Sequence, residues 1–378
     1  MKILHTSDWH LGAAEGNRSL AEDQRFFIDA ICFSVRTQGV EAVLLAGDVF
    51  DRSMASAEAI GLYDYAMTRL CRELKVPVLV IAGNHDGAER LASCAELLSE
   101  AGLYVCGSLR RQPCRVSLGD TDFYLLPWIT EEKVKSLFPE KKEEIASAED
   151  AYRVVTDALR ADFVPGRRHI LLAHAFLTDS ETSLSDRAAE IGFAAQVSAH
   201  VFDGFDYVAL GHIHKPQDVT DTIRYSGTPM PYSFGKEETQ QKSVTILDTR
   251  DLSRRMVPLP LLHRRTTLTG TLEELLVWEG PEETAAGFVR LRVTDRSVGP
   301  EALSALRQRF PLLTEVSGKS LEGQNGALTL TVEDLERMET DPVELFRYFC
   351  REEMDTEPSE HLVDLFTAAV QKAEEERK

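Results

Sequence analysis

The chain has 378 residues, of which 43% are hydrophobic and 28% are charged, so it is an ordinary globular sequence with room for two or three domains. This composition excludes collagen, extended disorder and a small disulfide scaffold. The formal net charge of −20 argues against a free-standing nucleic-acid binder, because binding to a polyanion depends on lysine and arginine.

Neither the apolar runs nor the cysteines indicate a membrane or an oxidising compartment. The longest apolar runs, such as 77–82 and 169–175, are far shorter than the roughly 18 residues that a membrane span needs. The N-terminus begins as a predicted strand that contains a charge, unlike a signal peptide, so we expect a cytoplasmic protein. The six cysteines lack CxxC or zinc-finger spacing and are expected to be reduced structural thiols.

Short apolar strands alternate with amphipathic helices along the first 260 residues, a pattern typical of a layered α/β fold. Strands are predicted at 2–6, 42–46, 78–82, 104–106, 115–117, 123–127, 170–173 and 207–210. Helices are predicted at 20–37, 56–74, 88–101 and 130–162, the last with a break near Pro139.

The pattern changes after residue 211 to short strands and turns, with strands predicted at 223–226 and 243–248. Residues 268–332 form a compact mixture of strands and a helix, the size of a small α+β domain. The last 46 residues carry 15 acidic and 6 basic side chains in a helix-forming background. We therefore predict domains at 1–262 and 268–340, followed by a helical tail at 341–378.

Ligand-type side chains follow five of the predicted strands at their carboxyl ends, where layered α/β folds bind ligands. They are Asp8 and His10, then Asp48 and Asp51, then Asn84, His85 and Asp86, then His174, and finally His212 and His214. A single histidine after a strand is more often structural, but five segments together indicate one site.

Imidazole, carboxylate and amide ligands without cysteine suit Mn²⁺, Fe or Zn²⁺ and disfavour an all-oxygen Ca²⁺ or Mg²⁺ cage. Seven ligands are too many for one ion with open positions, so the sequence predicts a two-metal centre. Such a centre would attract a phosphate diester and lower the pKa of a bridging water.

The motifs appear in an order that resembles the calcineurin-like metallophosphoesterases. They are Asp8-Trp9-His10, Gly47-Asp48-Val49-Phe50-Asp51, Gly83-Asn84-His85-Asp86, His174 and Gly211-His212-Ile213-His214. The resemblance covers about the first 215 residues and implies a layered β-sandwich flanked by helices.

The resemblance also implies a role for each residue of the motifs. One metal would be held by Asp8, His10, Asp48 and His214, and the other by Asp48, Asn84, His174 and His212. His85 would contact the scissile phosphate or protonate the leaving 3′-oxygen, and Asp51 would orient a ligand or a loop from behind. Asp86 leaves two interpretations open, a site residue or a cap for the next helix.

Finer similarity is to DNA nuclease subunits of this superfamily that work with a coiled-coil ATPase, and it lies in 4–12, in 23–24 with Phe27, in 46–51, in 225–229 and in 233–234. It implies two Mn²⁺ ions, 3′→5′ exonuclease activity on double-stranded DNA, endonuclease activity on single-stranded or hairpin DNA, and a role in recombination and repair. It also implies a homodimer within a two-plus-two assembly, and a capping domain at 268–340 that angles DNA into the site.

In the tail, the resemblance implies that helices dock on the base of the partner's coiled coil through Leu345, Phe346, Phe349, Leu362, Leu365 and Phe366. Apolar stripes at helical spacing are more often core, so both interpretations stay open. The loop 178–187 likewise either lines the substrate groove or is simply solvated.

Two other functions remain possible on the sequence alone. A phosphodiesterase of small or cyclic diesters would use the same motifs, although it would not need the 164 residues after His214. A scaffold with a decayed site would explain the fold, but every ligand position holds a competent residue. Because of its net charge of −20, the isolated chain is expected to bind DNA weakly.

Overall fold

The computed structural model describes residues 1–178, 180–181, 196–318, 328–331, 343, 346–347, 350, 358–360 and 362–367. Contacts divide the chain into one unit of Met1–Ala14 with Ser19–Leu262 and a second of Glu15–Arg18 with His263–Lys378. A further division of the second unit into 268–340 and 341–378 stays a prediction. Of the loop 178–187, residues 178, 180 and 181 are within the described part.

Most strands up to residue 262 form two mixed sheets. In chain order they are β1 (Lys2–Thr6), β2 (Ala14–Glu15), β3 (Arg18–Ser19), β4 (Ala42–Ala46), β5 (Val78–Ile81), β6 (Leu103–Cys106), β7 (Arg115–Leu118), β8 (Thr121–Leu126), β9 (Arg168–His174), β10 (Tyr207–Gly211), β11 (Gln217–Asp218), β12 (Ile223–Tyr225), β13 (Ser243–Asp248) and β14 (Arg254–Pro258). The first sheet has the order β14-β13-β1-β4-β5-β6 and the second β11-β12-β10-β9-β8-β7. In the first sheet β1, β4, β5 and β6 run parallel, as do β8, β9, β10 and β12 in the second.

Helices flank both sheets: α1 (Ala21–Gln38), α2 (Ala57–Met67), α3 (Ala88–Leu91), α4 (Ala95–Ser99), α5 (Glu131–Leu137) and α6 (Ala148–Arg160). The buried face of α1 includes Phe27, Ile31 and Val35, whose four-residue spacing places them on one side of the helix. The single helix predicted at 88–101 is wrong, because Cys94, at a φ of 58°, separates α3 from α4.

One core cluster lies between the two sheets, where side chains of β1, β4 and β5 meet those of β8, β9 and β10. Ile3, Leu44 and Leu79 contribute from the first sheet, and Phe123 and Leu172 from the second. A second cluster joins the other face of β8, β9 and β10 to α5 and α6. The predicted α/β layered fold is therefore confirmed, and its two sheets place the carboxyl ends of five strands where the motifs occur.

The second unit has its own core around a sheet of order β15-β16-β17-β18. Its elements in chain order are β15 (Arg265–Gly270), α7 (Leu272–Leu276), α8 (Glu282–Ala285), β16 (Phe288–Val293), α9 (Pro300–Arg309), β17 (Leu313–Gly318) and β18 (Leu328–Thr331). The sheet is parallel from β15 to β17, and β18 is antiparallel to β17.

Part of the predicted docking tail is described. Phe346 stacks on Phe366 with ring centroids 4.4 Å apart, so these two rings pack against each other within the tail. Leu362 and Leu365 are 45% and 56% exposed. Leu345 and Phe349 lie outside the described residues. Among the described residues, no helix has both the length and the apolar character that a membrane span requires.

Candidate metal centre

The structure brings together the eight side chains that the sequence assigns to metal binding and catalysis. In the first sheet the neighbouring parallel strands β1, β4 and β5 end at Thr6, Ala46 and Ile81, just before the first three motifs. In the second sheet β9 ends at His174, which is paired in register with Gly211 at the end of β10. The motifs therefore meet because adjacent parallel strands present their carboxyl ends on one side.

The backbone at the site is strained. Asp8, His10, Asp48 and His212 have φ values of 54°, 44°, 48° and 102°, in the left-handed half of conformational space that side-chain-bearing residues rarely adopt. Such conformations cost free energy and persist where the surroundings enforce them, most often at functional sites.

Backbone hydrogen bonds join the first two motifs. Asp8 N donates to Gly47 O at 3.0 Å, and His10 N donates to Asp48 O at 3.0 Å. A Cβ atom on Gly83 would overlap Asp48 Oδ1, and one on Gly211 would overlap Ala46 O. The glycines of the third and fifth motifs therefore allow these loops to approach neighbouring segments closely.

One group of ligand atoms comes from Asp8, His10 and His214, and these atoms lie within 4.8 Å of one another. The Nε2 atoms of His10 and His214 are 3.1 Å apart. All three residues are buried. Two imidazole nitrogens beside a carboxylate form a donor set that suits a divalent transition-metal ion.

A second group comes from Asp48, His174 and His212, again with ligand atoms within 4.8 Å of one another. Asn84 Oδ1 lies 3.0 Å from both His174 Nε2 and His212 Nδ1, so the amide oxygen belongs to this group.

Asp48 lies between the two groups. Its Oδ2 atom is 3.3 Å from His174 Nε2 and 4.0 Å from His10 Nε2. A carboxylate in this position can contact ions held by either group, which is the property of a bridging ligand.

Hydrogen bonds from other parts of the chain also hold the ligand side chains in place. His174 Nδ1 donates to Ala46 O at 2.9 Å, and because a carbonyl only accepts, this bond leaves Nε2 as the coordinating nitrogen of the neutral ring. Asp8 Oδ1 accepts from His212 N at 2.9 Å, and Asp8 Oδ2 accepts from Ser7 Oγ.

Burial and close charges shift the pKa values of the site in opposite directions. Burial raises the pKa of Asp8 to about 6. Burial would also raise the pKa of Asp48, but His174, together with the nearby His10 and His85, outweighs burial and holds this pKa well below its usual range. Burial would lower the pKa of His174, but Asp48, together with Asp8 and the carbonyl of Ala46, raises it to about 9. A cation that binds here therefore competes with a proton on His174.

Two other imidazoles of these groups, those of His10 and His212, favour the neutral form. Burial is the main reason that the pKa of His10 lies well below its usual value, and burial lowers the pKa of His212 to about 3. Neutral imidazoles are the form that binds a metal ion.

His85 stands beside both groups and is held at two points. Its backbone N donates to Asp48 Oδ1 at 2.9 Å, and its Nδ1 donates to Asp51 O at 2.9 Å. Its ring packs edge-on against that of His10, with centroids 4.9 Å apart. The bond to Asp51 leaves Nε2 as the nitrogen that a substrate can meet.

Asp51 and Asp86 take different positions around the site. Asp51 Oδ1 is 3.9 Å from His10 Nδ1, behind the ring. Asp86 does not cap the following helix, as one interpretation of the sequence proposed, because Gly87 is the N-cap of α3 and no side chain caps it. The Asp86 carboxylate instead accepts from the backbone N of Val49, Phe50 and Gly83 at 3.1, 2.9 and 2.8 Å. It therefore ties the second motif to the third.

Sequence reasoning missed several side chains that support the site. The ring of Trp128 stacks on His212 with centroids 5.5 Å apart, and Tyr232 lies 5.4 Å from His10. Gln24 Nε2 donates to His10 O at 2.7 Å. No spacing pattern distinguishes these residues, because each reaches the site from a separate part of the chain.

The amino-acid sequence of the chain is similar to those of known phosphoesterases and nucleases. Residues 1–216 match the family model described as calcineurin-like phosphoesterase. The chain belongs to this family, which confirms the resemblance drawn from the motifs, and it is a hydrolase of phosphodiester bonds. It is 30% identical over 321 residues to the SbcD subunit of nuclease SbcCD from Staphylococcus epidermidis, covering 84% of this chain and 85% of that protein.

Solved structures similar to the chain include TT1561 of Thermus thermophilus and a dimetal phosphatase from Danio rerio. The first is 11% identical, with a TM-score of 0.37, and covers 68% of this chain and 99% of its own. The second is 15% identical, with a TM-score of 0.36, and covers 65% of this chain and 91% of its own.

Proposed function

We propose that this chain is the nuclease subunit of a DNA-processing complex and cleaves DNA in recombination and repair. The observation that carries the proposal is the extent of the similarity to the SbcD subunit of nuclease SbcCD. An alignment of 321 residues cannot fit within the 1–216 range of the family model, so it continues into the region that follows the metal centre. A phosphodiesterase of small diesters would not need that region.

Two metal ions, Mn²⁺ by resemblance, fit the donor set at the strand ends. Asp8, His10, Asp48 and His214 would hold one ion, and Asp48, Asn84, His174 and His212 the other. Bound there, the ions would polarise the phosphate and lower the pKa of a bound water toward neutral pH.

His85 is proposed as the catalytic residue that touches the substrate. Its Nδ1 is committed to Asp51 O, so its Nε2 is available to a phosphate oxygen or to the departing 3′-oxygen. Asp51 serves this arrangement twice, because its carbonyl holds His85 while its carboxylate faces His10. In this scheme His85 contacts the reacting phosphate and Asp51 positions His85 and His10. No covalent enzyme intermediate is formed.

The proposed partner is an SbcC-type ATPase with a coiled coil, in a two-plus-two assembly with a homodimer of this chain. With that partner, we expect 3′→5′ exonuclease activity on double-stranded DNA and endonuclease activity on single-stranded and hairpin DNA. The second unit would supply a capping domain at 268–340 and a docking tail at 341–378. A basic partner would also offset the net charge of −20, which disfavours DNA binding by this chain alone.

A comparison of substrates tests this proposal. The full-length chain is assayed with Mn²⁺ on a 3′-recessed duplex, on a hairpin and on bis(p-nitrophenyl) phosphate, with and without the ATPase. We expect DNA cleavage that the ATPase and ATP stimulate. Hydrolysis of the chromogenic diester without DNA cleavage, in the presence of a partner that binds, would instead favour a small-diester phosphodiesterase.

A further inference from the structure

A buried ion pair lies next to the metal centre, in the segment between β12 and β13. Glu237 Oε2 and Lys242 Nζ are 3.6 Å apart, and both side chains are 0% exposed. Removing two charges from water is costly, and their mutual attraction often fails to repay that cost. A pair in this position therefore calls for a role other than stability.

Both members of the pair contact the same residue, His214. Lys242 Nζ donates to His214 O at 3.3 Å, and Glu237 Oε1 lies 3.6 Å from His214 Nδ1. The ammonium is thus at the backbone of His214 and the carboxylate is behind its ring. The opposite nitrogen of that ring, Nε2, faces His10.

Other contacts fix the pair in place. The carboxylate of Glu237 accepts from the backbone N of Tyr232 at 2.7 Å and of Ser233 at 3.2 Å. Lys242 Nζ also donates to Thr228 Oγ1 at 2.8 Å. Because backbone groups hold the carboxylate, its position relative to the imidazole is set by the fold rather than by a free side-chain rotamer.

Two other ligand imidazoles, those of His174 and His10, follow the same arrangement with different oxygens. His174 has a backbone carbonyl behind its ring, that of Ala46 at 2.9 Å. His10 has the Asp51 carboxylate at 3.9 Å, and the Asp51 side chain is 28% exposed. The partner of His214 is therefore a carboxylate that, unlike Asp51, is fully shielded from water.

We propose that Glu237 and Lys242 are positioning residues that fix the tautomer and orientation of His214, so that its Nε2 joins His10 as a metal ligand. The inference rests on the proposed role of His214 in the metal centre. A carboxylate behind a coordinating imidazole keeps the proton on the nitrogen that faces the carboxylate, here Nδ1. It also increases the basicity of the other nitrogen, Nε2, which would bind the metal. Lys242 balances the charge of that carboxylate and holds the His214 backbone.

The test measures metal binding, independently of hydrolysis. The full-length chain is titrated with Mn²⁺ by calorimetry, and the loaded protein is examined by electron paramagnetic resonance, which distinguishes coupled ion pairs from single ions. In the double variant Glu237→Gln/Lys242→Met, both charges are removed together, so neither is left buried alone. We expect one of the two ions to bind about 10- to 100-fold more weakly and the coupled-pair spectrum to be lost.

A second variant distinguishes a specific loss of metal affinity from a general loss of folding. Glu237→Asp keeps both charges but withdraws the carboxylate from His214 by one methylene, so it should weaken the same ion several-fold with little change in melting temperature. A matched control is Asp122→Asn/Arg167→Met, which removes an ion pair of 2.8 Å elsewhere in the first unit. The control should leave both Mn²⁺ affinities unchanged even if it lowers stability.

The outcomes separate the two proposals. If both Glu237 variants bind Mn²⁺ with wild-type affinity while His214→Ala loses an ion, the positioning role is wrong. The proposed metal centre would then still be supported. Retention of both ions by His214→Ala would overturn the assignment of His214 as a ligand. Equal weakening by the Asp122 and Arg167 control would also overturn the positioning role, since the effect would then reflect stability alone.

Discussion

The Nε2 atoms of His10 and His214 lie 3.1 Å apart, although 204 residues separate the two histidines in the sequence. Two neutral imidazoles repel each other when their lone pairs face at this distance, unless a proton or a cation lies between them. Both residues are buried, and burial favours the neutral form of His10. The arrangement therefore suits a cation, and it makes the fold sensitive to metal binding.

Metal removal should lower the stability of the chain. Ions that bind the folded state and not the unfolded one add about 2.7 kcal/mol at a concentration of 100 times Kd. We expect Mn²⁺ to raise the melting temperature of chelator-treated protein in a concentration-dependent way, measured by scanning calorimetry. Ca²⁺ is the control, since the histidine-rich donor set disfavours it, and an equal shift with Ca²⁺ would contradict the predicted selectivity.

Asp48→Asn should release both metal ions, because Asp48 Oδ2 lies near both ligand groups. Asn84→Ala should release only one, since the Asn84 amide contacts only His174 and His212 among the ligands. The measurement is the number of Mn²⁺ ions per chain after equilibrium dialysis. If Asp48→Asn still binds two ions, the aspartate is not a bridge.

His85→Ala should retain both metal ions and lose DNA cleavage by about 10²- to 10⁴-fold, the usual contribution of a general acid or base. If His85 protonates the leaving oxygen, the loss should be much smaller on bis(p-nitrophenyl) phosphate, whose leaving group needs no proton. Rates on both substrates and the metal content measure this. The control is His200→Ala, at a histidine whose side chain is 88% exposed, which should behave as wild type; unimpaired DNA cleavage by His85→Ala would remove the assigned role.

Acid should weaken the fold partly through His5. Burial is the main cause that lowers the pKa of His5 to about 3, and its Nδ1 and Nε2 contact Tyr207 Oη at 3.0 Å and Leu210 O at 3.1 Å. Because the folded pKa lies below the unfolded value of about 6.5, this stabilising contribution is complete above pH 6.5 and is lost as pH falls toward 3.

At pH 5 the loss from His5 should be about 2 kcal/mol. Urea unfolding at pH 7.5 and pH 5, in the presence of a chelator, measures it as the difference in pH dependence between wild type and His5→Gln. The variant should be less stable at pH 7.5 and less sensitive to acid between the two values. An unchanged pH dependence would mean that His5 does not stay neutral in the fold.

Leu365→Glu should weaken association with the SbcC-type ATPase while basal diesterase activity is retained. Leu365 is 56% exposed, so a charge there should not disturb the fold of the chain. Binding to immobilised ATPase measures the effect. Leu97→Glu, at a leucine that is 68% exposed in the first unit, is the matched control. Full association of the Leu365 variant, or of a chain truncated after Asp341, would refute the docking role of the tail.

Much of the fold could be predicted because its strands are short, apolar and bounded by turn residues. β1 and β4 have the predicted bounds, and β5 differs by one residue. The predicted helix at 88–101 failed because nothing in the periodicity marks the left-handed conformation of Cys94 that divides it. Helical periodicity reports which face is buried, but it does not report a single unusual backbone angle.

The supporting residues of the site were harder to predict than the ligands. The sequence left Asp86 open between a site residue and a helix cap, and the structure shows that its carboxylate accepts from the backbone of Val49 and Phe50. Nothing in the sequence distinguishes Glu237 and Lys242 from ordinary surface charges in a polar segment. Their partners lie on other segments, and no local spacing rule includes them.

The sequence by itself determined the chemistry of the site, because each ligand directly follows a strand and the parallel order of the strands brings their ends together. It also determined the family and the phosphodiester reaction class. Only the tertiary structure decided that the Asp86 carboxylate joins the second motif to the third and that a buried ion pair contacts His214. Those relationships depend on loop paths and on close backbone approach between distant segments, which residue spacing does not encode.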